Sequence, residues 1–113
     1  MNEERHGDLE RLLQGACYDP ATRKITLPRN APPYVAVHEW AHSQQHANGT
    51  FAFGLHALTR WIPWVRRWSL FLVEWEADQI ARIEMNENDI WDDQASAISC
   101  FILRRYALKM LLP

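Results

Sequence analysis

Two histidines and a glutamate at close spacing are the first residues of this chain whose types could do chemistry. His38 and His42 are four residues apart in Val37-His-Glu-Trp-Ala-His-Ser43, so on a helix both imidazoles leave the same face. Two neutral imidazoles at this spacing can bind one tetrahedral zinc ion. Glu39 lies off that line, where it can reach a water in the metal's open position and act as general base for hydrolysis. The alternative is a charged surface helix with two incidental histidines.

A second pair of residues could complete such a site. A hydrolytic zinc site needs a third protein ligand, and Glu74 and Asp78 are also four residues apart. If their helix crosses the first, Glu74 can bind the same Zn²⁺ ion while Asp78 accepts the outer N–H of a ligating histidine and fixes its tautomer. The alternative is an acidic surface face that forms ion pairs, such as Asp78 with Arg82.

Further polar residues are candidates for smaller roles. His56, Arg82 and Tyr106 are candidate donors to the oxyanion, and the sequence does not choose among them. His46 continues the line of His38 and His42, but it lies about 12 Å from His38 along a helix axis. We therefore expect His46 to be a rim or core histidine, not a ligand.

The secondary-structure elements that must position these residues are predicted from hydrophobic periodicity and from the residues that end helices and strands. The pattern predicts an α+β fold, mostly helical, with one small β-hairpin near the N-terminus, and residues 1–113 forming a single domain. Phe51 to Arg60 could be a short helix or an ordered loop. The other predicted elements are a helix over residues 8–15, a hairpin with a turn at Asp19-Pro20 and a strand at Lys24–Leu27, and helices over about Pro33–Ala47, Trp64–Glu84 and Ile90–Leu111.

Composition excludes some classes of function and location. The net charge is −2 and no basic stripe is present, so we expect no nucleic-acid binding. The polar N-terminus lacks the apolar core of a signal peptide, and no run of about 18 apolar residues predicts a membrane span. A cytoplasmic location follows as the expectation. Cys17 and Cys100 are expected to be two buried free thiols, with one disulfide as the alternative.

Aromatic residues are concentrated between the two motifs. Five of the six tryptophans fall between residues 40 and 75. One interpretation is core packing, with Trp68 and Trp75 among residues at helical spacing that cover the site helix. The other is an interfacial surface over residues 51–72, where three arginines accompany the tryptophans and could contact a membrane headgroup layer or a partner.

The two motifs together resemble the gluzincin zinc peptidases, particularly the catalytic core shared by CAAX prenyl proteases and heat-shock membrane proteases. A closer similarity is to a bacterial family of neutral zinc metallopeptidases that are usually membrane proteins. It covers most of residues 17–108 and is carried by residues 18–27, 37–47, 73–77 and 98–108. Two departures are evident. Only 31 residues separate His42 from Glu74, where those relatives carry a long membrane-embedded insertion, and Ala41 stands where they often have glycine. The short separation is more similar to the minigluzincins, small soluble versions of that core.

The resemblance implies a fold, an activity and a role for each residue. It implies a zincin-like domain that hydrolyses peptide or protein substrates with one zinc ion, held by His38, His42 and Glu74. Glu39 would be the base, and Asp78 would support a ligand, as in the prenyl proteases. The last segment, residues 102–113, would be a packed helix or would cover the cleft and keep the enzyme latent. Two alternatives remain: a latent or inactive zinc-binding relative, and a membrane- or partner-binding module. An intact Glu39 argues against both, because a purely structural zinc site has no use for a base.

Overall fold

The part of the protein that the structure describes is a β-hairpin followed by four helices. The computed structural model describes residues 15–111. Within them the elements are β1 (Cys17–Asp19), β2 (Lys24–Thr26), α1 (Pro33–Asn48), α2 (Phe51–Thr59), α3 (Pro63–Glu87) and α4 (Asp93–Leu111). This mostly helical chain with one two-stranded antiparallel sheet confirms the predicted α+β class. The helix predicted over residues 8–15 lies outside the described residues, except for its last residue.

The hairpin forms where a proline-containing turn separates two short strands. The Asp19 carboxylate accepts hydrogen bonds from the Ala21 N–H at 3.0 Å and the Thr22 hydroxyl at 3.1 Å, while its carbonyl accepts the Arg23 N–H at 2.7 Å. Arg23 adopts the left-handed conformation, with φ 58°, that closes such a turn. Tyr18 pairs with Ile25 in the antiparallel register. The predicted hairpin is therefore confirmed.

Helix α1 begins and ends where proline and glycine require it. Pro33 is its first residue, a position where a missing N–H removes no helical hydrogen bond. At the other end Gly49 is left-handed, with φ 59°, and the Thr50 N–H bonds to the Gln45 carbonyl at 3.1 Å. This closure is the Schellman arrangement, which favours glycine. The helix thus ends at Asn48, one residue past the predicted end at about Ala47.

The remaining helices differ from prediction mainly at their ends. The segment after Thr50 is the helix α2, and α3 extends to Glu87, three residues past the predicted end. Helix α4 begins at Asp93, not at Ile90 as predicted. The physical reason is the Asp92 side chain, which accepts the Ala95 N–H at 2.8 Å and so caps the helix.

The core brings α1 and α3 close together. Helix α3 packs against α1, α2 and α4. Ala41 of α1 and Ala77 and Ala81 of α3 are fully buried members of the main core cluster. Because alanine side chains are small, they let two helix backbones approach closely. The approach places the His38–His42 face of α1 opposite Glu74 of α3.

Two expectations about exposure need correction. Cys17 and Cys100 are free thiols, but both are exposed, so the expectation that they are buried was wrong. The core interpretation of Trp68 and Trp75 is also wrong, since about half of each side chain is exposed, at 52% and 47%. Helix α3 turns these residues away from the core because its buried face is the one that carries Glu74. Over residues 15–111, no helix is both long and apolar enough to cross a membrane.

Candidate metal centre

Three side chains converge where α1 crosses α3. The Nε2 atoms of His38 and His42 lie 2.8 Å and 3.2 Å from the same Glu74 carboxylate oxygen, Oε2. One ligand atom from each residue falls within 4.8 Å of the others. The two imidazole rings are nearly perpendicular, with centroids 4.8 Å apart. The His-His-Glu group can therefore hold a metal ion, with both ligating histidines one turn apart on a single helix.

The orientation of His38 is set by Tyr34, one turn earlier on α1. The Tyr34 hydroxyl donates to Asp78 Oδ1 at 2.5 Å, and its oxygen lies 3.2 Å from His38 Nδ1. Because the single hydroxyl proton is given to Asp78, the His38 Nδ1–H must donate to Tyr34. Burial, together with the Asp78 carboxylate, raises the pKa of Tyr34 above its ordinary value, which keeps that proton in place. His38 consequently presents a bare Nε2 to Glu74.

Asp78 supports the ligand through Tyr34, not by direct contact. The sequence predicted that this carboxylate would accept the outer N–H of a ligating histidine, but the Tyr34 hydroxyl lies between the two groups. Asp78 is fully buried and also accepts from Ser99 Oγ at 2.6 Å and Arg82 Nε at 2.8 Å. The Asp78–Arg82 ion pair of the surface-face alternative thus exists, but as part of a buried network.

The orientation of His42 is set by Gln45, which lies three residues further along α1. His42 Nδ1 lies 2.8 Å from Gln45 Oε1. The Gln45 amide group donates to the Val73 carbonyl and to Glu76 Oε1, both at 2.9 Å, so its oxygen must be the atom that faces His42. His42 therefore donates from Nδ1, and its Nε2 is bare in the neutral ring. Neutral His42 and His38 present the same tautomer to Glu74.

This arrangement fits a metal better than it fits a set of ordinary hydrogen bonds. Two bare nitrogens and a carboxylate oxygen are three acceptors, and they repel one another unless a proton or a cation lies between them. Burial lowers the pKa of the His42 imidazole, but the Glu74 charge and hydrogen bond outweigh it and raise that pKa to about 9. Burial likewise raises the pKa of Glu74, and the two imidazoles outweigh it and hold that pKa below its ordinary value. In the metal-free protein a proton on His42 thus occupies the place of the cation.

A small cleft opens beside the three ligands. It has a volume of about 120 Å³, and its lining comprises Ala16, His38, Glu39, Glu74, Ile102, Arg105 and Tyr106. Burial, with a smaller contribution from Glu74, raises the pKa of Glu39, and the two histidines oppose the rise. Burial and the nearby Glu74 carboxylate raise the pKa of Tyr106, so its hydroxyl keeps its proton. The carboxyl group of Glu39 and the protonated hydroxyl of Tyr106 therefore face the same space as the His-His-Glu group.

The other predicted site residues lie elsewhere. Arg82 points to the Asp78 side, where its Nη2 donates to Ser99 at 2.8 Å and its guanidinium stacks on Trp91. His56 bonds to Ser69 Oγ at 2.8 Å. Neither lines the cleft, so Tyr106 is the one of the three candidate oxyanion donors that does. His46 is held by Tyr18 and packs on Phe53, outside the ligand group.

No known protein family, curated protein or solved structure matches the chain. The chemistry of the site is therefore inferred from the geometry of its own side chains.

Several residues of the site were missed in the sequence. Tyr34 was not predicted as a site residue, although its position four residues before His38 places it on the line of the ligands. Gln45 had no assigned role, and its only signal was the spacing of three residues from His42. Ile102 and Arg105 belong to the last segment, for which covering the cleft was one of two alternatives, but no local pattern singled out these two side chains as lining residues.

Proposed function

We propose that this protein is a zinc-dependent peptidase of the gluzincin type. The observation that carries the proposal is the convergence of the His38 and His42 Nε2 atoms on one oxygen of Glu74, beside a cleft that also contains Glu39. Structural zinc sites usually close the fourth position with cysteine or histidine. Within residues 15–111 the ligand group has only three members, which suits a catalytic site with an open position.

Zinc is the proposed metal because of Glu39. Two histidines and one carboxylate also suit the Fe(II) of oxygenases, so the ligand set alone does not choose. Glu39 is adjacent to His38 in the sequence and faces the same cleft, where a carboxylate is useful to hydrolysis. The His-Glu-x-x-His spacing has this meaning in zinc peptidases. Hydrolysis with zinc is therefore the better match.

Each residue of the cleft would have a separate role in hydrolysis. When bound, zinc would polarise the scissile carbonyl and lower the pKa of a bound water to about 7. Glu39 would take the proton of the attacking water and pass it to the leaving amine. Its raised pKa brings the carboxyl closer to the working pH, which suits a group that accepts and then donates a proton. Tyr106, still protonated, would donate a hydrogen bond to the developing oxyanion.

The size of the cleft favours a second candidate, a latent form of the same enzyme. Its volume of about 120 Å³ is smaller than the roughly 300–1,000 Å³ of ordinary ligand pockets. Ile102, Arg105 and Tyr106 form the wall contributed by α4. A peptide would enter fully only after this wall moves. All three wall residues precede residue 107 in the sequence. A truncation that removes only the residues after Tyr106 would therefore not delete the wall.

Activity of matched variants tests the proposal. Wild type, Glu39→Gln and the surface control Glu87→Gln would be loaded with zinc and assayed on a mixed peptide library by mass spectrometry. We expect equal zinc content in all three, and cleavage by wild type and Glu87→Gln only. Equal cleavage by Glu39→Gln would contradict the role of Glu39. If wild type is inactive, Arg105→Ala should release activity from a latent enzyme, and continued inactivity with zinc bound would contradict both forms of the proposal.

A further inference from the structure

The hairpin of helices α2 and α3 exposes a tryptophan-rich surface at its tip. Trp64, Trp68, Leu72 and Trp75 recur at spacings of four, four and three residues, so they fall within about 80° of arc on α3. All four are exposed, on the side of α3 turned away from its buried face. Soluble proteins rarely expose so large a contiguous apolar stripe without a binding role.

Exposure of the tryptophans increases toward the turn between the helices. The exposed fraction rises from 47% at Trp75 to 52% at Trp68, 68% at Trp64 and 76% at Trp61. Trp61 lies in the turn, where its indole N–H donates to the Leu58 carbonyl at 2.9 Å, and Leu58 is itself 75% exposed. The apolar side chains that protrude most are thus grouped at one end of the hairpin. We call Leu58, Trp61, Trp64 and Trp68 the hairpin tip.

Within residues 40–73, the segment that contains the hairpin tip, the charged side chains of lysine, arginine, aspartate and glutamate are all arginines. The chain has 14 acidic residues, yet none lies between Glu39 and Glu74. The same interval contains three arginines, and Arg60 and Arg66 are exposed beside the tip tryptophans. The tip is therefore apolar and locally cationic, although the whole chain has a net charge of −2.

We propose that the hairpin tip binds the headgroup layer of an anionic lipid membrane. Tryptophan prefers the interface between water and hydrocarbon, and arginine beside it pairs with anionic headgroups. A second copy of the chain is a poorer occupant, because a two-fold interface would bring identical arginine-bearing patches together. Trp64 precedes Glu74 by ten residues, about 15 Å along the helix axis. The membrane would therefore bind one end of α3 and leave the ligand group clear of the headgroups.

Vesicle co-sedimentation tests this proposal independently of catalysis. The full chain should bind vesicles of phosphatidylcholine mixed with phosphatidylglycerol, bind phosphatidylcholine alone weakly, and be released by salt. Each of Arg60→Gln and Arg66→Gln should weaken binding by about fivefold, the usual contribution of one cation near an anionic surface. Trp61→Ser combined with Trp64→Ser should abolish co-sedimentation.

A matched control distinguishes vesicle binding through the hairpin tip from non-specific adsorption of exposed arginine and leucine side chains. Arg104→Gln combined with Leu108→Ser removes an exposed arginine and an exposed leucine from α4, and this variant should bind vesicles like wild type. Circular dichroism and urea midpoints should be equal for all variants, because every changed side chain is exposed. The proposal is overturned if wild type does not bind anionic vesicles, or if the control loses as much binding as the tip variants. It is also overturned if sedimentation equilibrium shows a wild-type dimer that the tip substitutions convert to monomer, while the wild type does not bind vesicles.

Discussion

Replacing Tyr34 with phenylalanine removes one oxygen from the network that holds His38. The hydroxyl lies between Asp78 Oδ1 and His38 Nδ1, and Tyr34 is only 1% exposed, so the position is shielded from bulk solvent. In Tyr34→Phe the His38 N–H loses its acceptor and the ring loses the constraint on its tautomer. Removing such a support usually costs a factor of about 10–100 in metal affinity. The zinc Kd of Tyr34→Phe should rise by that factor.

The same change can be measured as lost stabilisation by zinc. At free zinc equal to about 100 times the wild-type Kd, binding stabilises the folded protein by about 2.7 kcal/mol. If the Kd rises by about 10–100-fold, the same zinc concentration adds only about 0.4–1.4 kcal/mol. The metal-free variant should itself lose about 1–3 kcal/mol, because a buried donor is left unpaired. Competition with a fluorescent chelator gives the Kd, and urea unfolding with and without zinc gives both free energies.

Tyr18→Phe is the matched control for this experiment. The Tyr18 hydroxyl lies 2.7 Å from Nδ1 of His46, a contact of the same kind with a histidine outside the ligand group. Its zinc affinity should equal that of wild type. The reasoning is refuted if Tyr34→Phe binds zinc within about twofold of wild type, or if Tyr18→Phe loses as much affinity.

Four further measurements test other parts of the site. Tyr106→Phe should lower kcat by about 10²–10³-fold with zinc content unchanged, the cost of one oxyanion donor; an unchanged kcat in steady-state assays would exclude that role. Zinc binding near neutral pH should release a proton from His42, whose pKa is raised to about 9 in the metal-free protein, and calorimetry in buffers of different ionisation enthalpy would detect it. By the same linkage, the stabilisation from the His42–Glu74 pair is complete only between pH 4.5, the ordinary pKa of Glu74, and pH 6.5, the ordinary pKa of His42, and it is lost as pH rises from there through about 9; metal-free urea midpoints that rise between pH 6.5 and 9 would contradict the pairing. Asp78→Ala should lower the free energy of unfolding by about 3 kcal/mol, since it leaves the buried Tyr34 and Ser99 hydroxyls without the carboxylate to which they donate; a loss below about 1 kcal/mol in chelator would show that the network contributes little.

The helices and the ligand set could be predicted because their signals are local. Prolines and Gly49 mark the ends of α1, and the spacing of four residues fixes which side chains share a face. His38 and His42 follow from that spacing alone. Glu74 was predicted on the assumption that two helices cross, and the fully buried Ala41 and Ala77 are consistent with that close approach.

The supporting network could not be predicted in the same way, because it depends on contacts between elements. Tyr34 was not predicted as part of the site, because a tyrosine on a helix face usually contributes apolar area to the core and its hydroxyl can find many acceptors. Its role as a bridge appears only when the buried Asp78 of α3 lies beside it. Ser99 of α4 joins the same carboxylate from 21 residues further along the chain. Trp68 and Trp75 were ambiguous for a related reason, since helical spacing defines a face but not whether another element covers it.

Zinc K-edge X-ray absorption tests the central claim most directly. On protein purified without chelator and loaded with one equivalent of zinc, we expect nitrogen and oxygen neighbours at about 2.0–2.2 Å, with two histidine rings in the outer shells. The His42→Ala and Glu74→Ala variants should not retain the metal. Sulfur scattering at about 2.3 Å would instead place zinc on the exposed Cys17 or Cys100. That result, or zinc retained by both variants, would contradict a metal centre at His38, His42 and Glu74.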